Sequence, residues 1–266
     1  MADEKTVFVN YENFDSISKL FKFTKPDYIF HLASNCIRDT SDESLKKGRI
    51  RDYNIIKILD TLRVNVKFIL VSSMAVFSLD DKNIRPLQYN PESNYGLEKL
   101  YMIKKLLDLS SIRTHLKCKV VYPSSIYGLG QTGRMFLPRL LLHIRDGAPI
   151  VAIGGNKKRD FIHVRDVSAS LVRLVLDYDY PTNDHIFLHS FKLIKMSEIT
   201  DLVYKICKLD SEALVFNDSK EDSERDLFEY QTVAEKYRLP DEFPVKLGLC
   251  EGLREMFDVN SDHDYS

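Results

Sequence analysis

Short runs of β-branched and aromatic residues alternate with longer stretches of helical period along most of this chain. That alternation restricts it to layered α/β architectures with a mainly parallel sheet. Val7–Val9, Tyr28–Leu32, Phe68–Ser72 and Lys119–Tyr122 read as strands, with Tyr28–Leu32 buried. Phe68–Val71 is apolar without interruption, the pattern of a strand covered on both faces. Between the strands, Phe14, Ile17, Leu20 and Phe21 recur at the spacing of one helical face, and Pro26 ends that helix. Residues 45–62 repeat the pattern with Tyr53, Ile56 and Leu59 inward, and a further helix is predicted from Tyr95 to Leu107 after a polar loop, Leu79–Ser93.

The texture changes after Pro123, where glycines and aromatics enter. A helix over 135–145, a strand over 149–153 and a charged turn at Asn156–Asp160 come first. A helix over 166–177, a strand over 185–189 and a helix capped near Ser197 follow. Residues 217–227 are densely charged and read as an exposed loop; 258–266 hold little apolar content and read as a disordered tail. The chain shows no internal repeat. At 266 residues and 44% apolar content it buries a full core, as one large domain or two joined lobes.

Charge and cysteine usage remove several classes of function. The 38 basic and 39 acidic residues are interspersed for a net charge of -1, so no basic stripe points to a nucleic-acid partner. Apolar runs are far short of a bilayer span, and the charged opening Met1–Thr6 is unlike a signal peptide. The expectation is a soluble, cytosolic protein with no membrane partner. Cys36, Cys118, Cys207 and Cys250 lie far apart with no C-x-x-C pair, which predicts free thiols and no metal site.

Four Tyr-x-x-x-Lys pairs occur: Tyr53 with Lys57, Tyr95 with Lys99, Tyr101 with Lys105, and Tyr204 with Lys208. Any one of them alone is an ordinary helix-surface pair. Only Tyr95 follows, by one loop, a buried strand that ends in hydroxyls, Ile69-Leu70-Val71-Ser72-Ser73. Open α/β sheets place their ligands at such strand ends. A free tyrosine ionises near pH ~10 and is a weak base at neutrality. A lysine cation one helical turn away favours the phenolate, and a serine hydroxyl from the strand can bond the same substrate oxygen. The trio suits proton removal from a hydroxyl.

Five ordered segments carry a resemblance. They are Pro26–Ser34 (PDYIFHLAS), Ser72–Phe77 (SSMAVF), Tyr95–Lys99 (YGLEK), Pro123–Gly128 (PSSIYG) and Arg159–Val167 (RDFIHVRDV). Over residues 7–256 the chain resembles the extended short-chain dehydrogenase/reductase family, in its NAD-dependent nucleotide-sugar epimerase/dehydratase branch. The resemblance implies a Rossmann-type doubly wound parallel sheet with a smaller C-terminal substrate-binding lobe. Residues 1–125 would form an incomplete dinucleotide-binding part. Residues 126–257 would be mainly the substrate lobe, with 160–190 returning to the sheet. It also implies roles. Ser73 matches the catalytic serine or threonine, Tyr95 the general acid/base, and Lys99 the residue that binds the nicotinamide ribose and lowers the tyrosine's pKa. Ala33, Ser34 and Pro123 would lie beside the cofactor, NAD or NADP. Ser73, Ser125 and Arg159 match substrate-contacting positions, Arg159 as a guanidinium fork for the sugar nucleotide's pyrophosphate. Pairing through the Tyr95 helix and the helix before it would give a homodimer.

Departures from the family pattern sharpen the reading. Glu98 stands where a serine is usual, and Tyr122 and Ser125 where arginine and asparagine are common. Met74 and Ala75 stand where sugar 4,6-dehydratases carry an Asp-Glu pair, which argues for epimerisation or carbonyl reduction over dehydration. No glycine precedes Gly48, so the glycine-rich turn that cradles the dinucleotide pyrophosphate lies outside this sequence. A start upstream of Met1, loss of the segment in a binding or regulatory protein, and supply by another chain each account for that. Gly128–Gly133 spells G-x-G-x-x-G, but Pro123 and two serines intervene after the strand, and Gly154 and Gly155 stand where an acidic ribose ligand belongs. It reads as a substrate-lobe loop. The expected activity is C4 epimerisation of a nucleotide sugar or reduction of a ketosugar. The reading from another class is a non-catalytic sugar-nucleotide-binding or regulatory protein.

Overall fold

The computed structural model describes residues 7–32, 41–77, 87–131, 135–148, 150, 154–179, 184–209, 216 and 247–257. The chain divides into two compact units, one of Met1–Phe77 and Tyr89–Val121, the other of Ser78–Gln88 and Tyr122–Ser266.

In the first unit, Asn13 caps α1 (Phe14–Thr24) by accepting the Ser16 backbone N–H, and Ile17 and Phe21 form its buried face. The helix stops at Lys25, which adopts φ 43 ahead of Pro26. β1 (Tyr28–His31), α2 (Asp42–Thr61), β2 (Val66–Val71), α3 (Asn94–Ile112) and β3 (Leu116–Pro123) complete the frame, with a short 3-10 turn at Met74–Val76 after β2. β1 pairs with β2 and β2 with β3, both in parallel, so that Phe68 stands between Ile29 and Cys118. Each strand reaches the next through a helical crossover, the economical connection for parallel strands. The core gathers on β2 and the helices: Phe68, Ile58, Leu59, Ile103 and Leu106 are at most 2% exposed.

Three sequence expectations change here. Val7–Val9 is not a strand: it has no ladder partner among the described residues, and Phe8 is 96% exposed. A short apolar, β-branched run does not make a strand without a neighbour to bond. β1 is also less buried than its composition suggests, with Tyr28 and Phe30 each 39% exposed. Tyr53 does not face inward; it is 56% exposed, and its neighbours Asp52 and Asn54 are buried instead. Asn54 earns its place by donating to the carbonyls of Tyr11 and Glu12 at 3.1 Å each, which ties α2 to the segment before α1.

In the second unit, β4 (Ser125–Tyr127) runs parallel to β5 (Lys158–His163). α4 (Phe136–Asp146), α5 (Val164–Leu176), β6 (His185–Leu188), β7 (Leu193–Lys195), α6 (Met196–Ile206) and α7 (Leu249–Phe257) complete it. The segment predicted as a charged turn does turn at Asn156, but from Lys158 it begins β5, where Lys158, Arg159 and Asp160 pair antiparallel with Lys195, Ile194 and Leu193. A three-residue partner strand carries too little periodicity to be seen in sequence. β6 lies beside the last residues of β3, where Tyr122 Oη and His185 Nδ1 are 3.0 Å apart and Ser124 N–H donates to Leu188 O. Tyr127, Leu137, Ile199, Val203, Leu253 and Phe257 form this unit's apolar core. Gly128 opens the loop after β4, where a Cβ would come 2.6 Å from Val164 Cγ1. That close approach, rather than a phosphate cradle, accounts for the first glycine of the G-x-G-x-x-G stretch. The predicted strand at 149–153 falls largely outside the described residues, as do 217–227 and 258–266. The α/β class and Rossmann-type organisation stand as expected.

Leu253 is 0% exposed and brings α7 into the second core. Leu253→Ala is expected to cost about 2–5 kcal/mol by urea denaturation; a change under ~0.5 kcal/mol would show that α7 adds little to that core. In the first unit, a Cβ on Gly96 would collide with the Ala75 carbonyl oxygen and lie 2.9 Å from Pro91 Cβ. Gly96→Ala is therefore expected to lower stability by about 1–3 kcal/mol, read from the same denaturation midpoint.

Candidate functional site

The first turn of α3 is set by Ser93, whose hydroxyl accepts the Gly96 N–H at 3.1 Å. Gly96 lets this turn press against the carbonyl of Ala75, so the start of α3 abuts the turn that follows β2. Tyr95 sits in that first turn, half-buried. One turn later Lys99 is 8% exposed, and its Nζ donates to the carbonyl of Val71, the last residue of β2, at 3.0 Å. The Nζ lies 5.9 Å from the centroid of the Tyr95 ring. Ser73, two residues past β2, is extended and half-buried, and its hydroxyl accepts the Ala75 N–H at 3.2 Å. A hydroxyl that accepts there still has its own proton to donate. Ser72 Oγ, one residue earlier, is buried with no hydrogen-bond partner among the described residues.

Ser73, Tyr95 and Lys99 thus gather at the C-terminal end of one central parallel strand. The other three Tyr-x-x-x-Lys pairs do not share this setting. Lys57 Nζ sits over the Phe14 ring, Tyr101 is 38% exposed beside Lys105, and Tyr204 is a core residue. Burial and a strand-end carbonyl, not spacing, single out Lys99.

The electrostatics of Lys99 reflect a contest. Burial pulls its pKa down to about 8 from the ordinary lysine range; the carboxylates of Asp52 and Glu98 oppose the fall and the Arg51 guanidinium adds to it. At neutral pH the amine remains mostly a cation, and a cation beside a phenol favours the phenolate. A cavity of about 10 Å³ underlies the pair, lined by His31, Arg51, Asp52, Tyr95, Glu98 and Lys99, with Leu70 and Met102. Asp52 and His31 were not among the site residues expected from sequence. The helical pattern alone does not separate a buried Asp52 from a solvent-facing one, and its partner His31 is distant in sequence. A larger groove of about 530 Å³, lined by Leu45, Lys46, Arg49, Ile50, Tyr53 and Tyr101, includes no member of the cluster.

Pro123, Ser125 and Arg159 belong to the second unit. Pro123 is the buried last residue of β3, and Ser125 is half-buried at the start of β4, in register with Phe161 of β5. Arg159, on β5, is half-buried; its Nη1 donates to Lys158 O at 3.0 Å, and it has no acidic partner among the described residues. Burial pushes its pKa below the usual guanidinium range. Next to it, Asp160 accepts the Ser190 N–H at 3.0 Å and locks β5 to the loop after β6. Ala33 and Ser34 lie outside the described residues.

Comparison with known proteins places this geometry in a lineage. A protein of Methanocaldococcus jannaschii provisionally named UDP-glucose 4-epimerase is 26% identical over 185 residues, covering 64% of this chain and 59% of that protein. The chain thus matches less than two thirds of that relative's length. The UDP-glucuronic acid 4-epimerase of Bacillus cereus, solved with UDP-glucuronic acid and NAD, shares the fold with a TM-score of 0.70 at 18% identity, over 91% of this chain and 77% of that one. RMD from Pseudomonas aeruginosa, solved with NADPH, has a TM-score of 0.73 at 18% identity, over 96% and 88%. The sequence profile of the NAD dependent epimerase/dehydratase family matches residues 1–188, and the chain belongs to that family.

Proposed function

We propose that this protein carries out NAD(P)-dependent C4 epimerisation of a nucleotide sugar or the closely related reduction of a ketosugar. The observation that carries the reading is the Lys99 Nζ bond to the carbonyl of Val71, which holds a cation beside Tyr95 at the strand end leading to Ser73. Family membership and the relatives named above support the substrate class. Met74 and Ala75, which lack acid/base groups, speak against dehydration.

The cluster fits the nicotinamide end of a dinucleotide. Lys99 Nζ spends one of its three N–H groups on Val71 O, and an ammonium can give the others to ribose hydroxyls. Tyr95 and Lys99 would hold that end. A glycine-rich pyrophosphate turn is not among the described residues. The nicotinamide, when bound, supplies the two-electron acceptor and donor. The protein's own residues handle the proton. Tyr95, as phenolate, takes it from the sugar hydroxyl, and Ser73 hydrogen-bonds the same oxygen as it becomes a carbonyl. Lys99 stabilises the phenolate throughout. Tyr95 returns the proton when the opposite face is reduced. Arg159, half-buried without a carboxylate partner among the described residues, suits a diphosphate, which a guanidinium can grip with two parallel bonds.

The test is turnover of nucleotide sugars by the full chain with NAD+ or NADP+, followed by product chromatography. Tyr95→Phe and Lys99→Met are each expected to lower kcat/KM by about 10²–10⁴-fold while the fold persists by circular dichroism. Unchanged turnover in Tyr95→Phe would overturn the reading. So would absence of dinucleotide binding at millimolar concentration in equilibrium dialysis.

A further inference from the structure

We propose that Asp52 is a positioning residue for the Tyr95–Lys99 pair: its buried carboxylate, flanked by His31 and Arg51, supplies the counter-charge that the Lys99 ammonium requires inside the fold. The inference rests on the reading of Tyr95 and Lys99 as the reactive pair.

Asn54 apart, the buried register of α2 is otherwise built for apolar contact, with Ile55, Ile58 and Leu59 at most 3% exposed. Asp52 occupies that register at 8% exposure, which is costly for a carboxylate unless a charge or donor faces it. Two do. His31 Nε2 and Arg51 Nε each lie 3.5 Å from Asp52 Oδ1. Both contacts are long, so they orient the carboxylate without saturating it, and its other oxygen has capacity to spare. Asp52 and Lys99 line the same cavity of about 10 Å³, room for about one water molecule. A buried acid and a buried amine therefore share one small polar space between packed helices.

The charges facing Lys99 can be named by element. β1 brings His31, α2 brings Arg51 and Asp52, α3 brings Tyr95 and Glu98, and β2 brings Leu70 and the Val71 carbonyl. Only Asp52 and Glu98 are acidic. Asp52 is the more buried, and an opposite charge acts most strongly where water is excluded. Asp52 heads the influences that keep Lys99 protonated, against burial and Arg51. Without Asp52 the amine would lose its proton nearer neutrality. The phenol would then lose the cation that the proposed mechanism sets beside it.

Competitive acetylation of the full chain with acetic anhydride across a pH series, read by peptide mass spectrometry, gives the titration midpoint of Lys99 without cofactor or turnover. Asp52→Asn keeps the shape and removes the charge. It is expected to lower the midpoint by about one unit, whereas Arg51→Gln should raise it. Glu98→Gln should lower it by less than Asp52→Asn. An unmoved midpoint in Asp52→Asn, or a shift of the same sign in Asp52→Asn and Arg51→Gln, overturns the inference. If Asp52→Asn does not fold, Asp52→Ser takes its place: a lowered midpoint supports the inference, and an unmoved or raised one overturns it. Failure of the chain to turn over sugars would defeat the proposed function yet leave this measurement intact, so the two fail separately.

Discussion

The bond between Lys99 Nζ and the carbonyl of Val71 is the constraint on which the site depends. It joins the first turns of α3 to the end of the central strand β2. The groups proposed to react then follow by short chain distances: Ser73 lies two residues past Val71, and Tyr95 one turn before Lys99. The cap at Ser93 and the close approach of Gly96 to Ala75 serve the same junction from the other side. A helix N-terminus and a strand C-terminus are thereby locked together. This is the kind of rigid seat that a proton-transferring group needs if its geometry is to survive thermal motion.

The same bond creates an electrostatic problem. An ammonium at 8% exposure loses hydration that a single carbonyl does not replace. Burial drives Lys99 toward neutrality, and nearby carboxylates drive it back. The balance leaves the group a cation at neutral pH but close to its titration range. A phenol next to such a group feels a positive charge that water screens only weakly. Burial therefore weakens the screening between the two side chains while it threatens the cation itself.

Much of this could be read from residue order. The apolar run Phe68–Val71 became the buried central strand, and the helix expected from Tyr95 proved to begin at Asn94. Period alone misled where the environment is decisive. Val7–Val9 is as apolar and β-branched as a strand but has no ladder partner among the described residues. Tyr53 has the right spacing for an inward position, yet Asp52 and Asn54 take the interior because both find polar partners there. Those partners, His31 at the end of β1 and the carbonyls before α1, are distant in sequence and meet α2 only through folding. The trio Ser73, Tyr95 and Lys99 was legible because hydroxyls at a strand end and a Tyr-x-x-x-Lys helix occurred in order. The charged layer beneath it was not, since an aspartate inside a helical pattern looks the same whether it faces solvent or core.

The central claim is that a lysine cation held at the strand end makes one phenol unusually acidic. An NMR titration of the chain labelled with tyrosine carrying ¹³C at Cζ tests it directly, with Tyr95 assigned by Tyr95→Phe. The account predicts that Tyr95 ionises clearly below the ~10 of a free tyrosine and returns toward that value in Lys99→Met. A Tyr95 resonance that titrates near ~10 in the unaltered protein, or that Lys99→Met leaves in place, would contradict it.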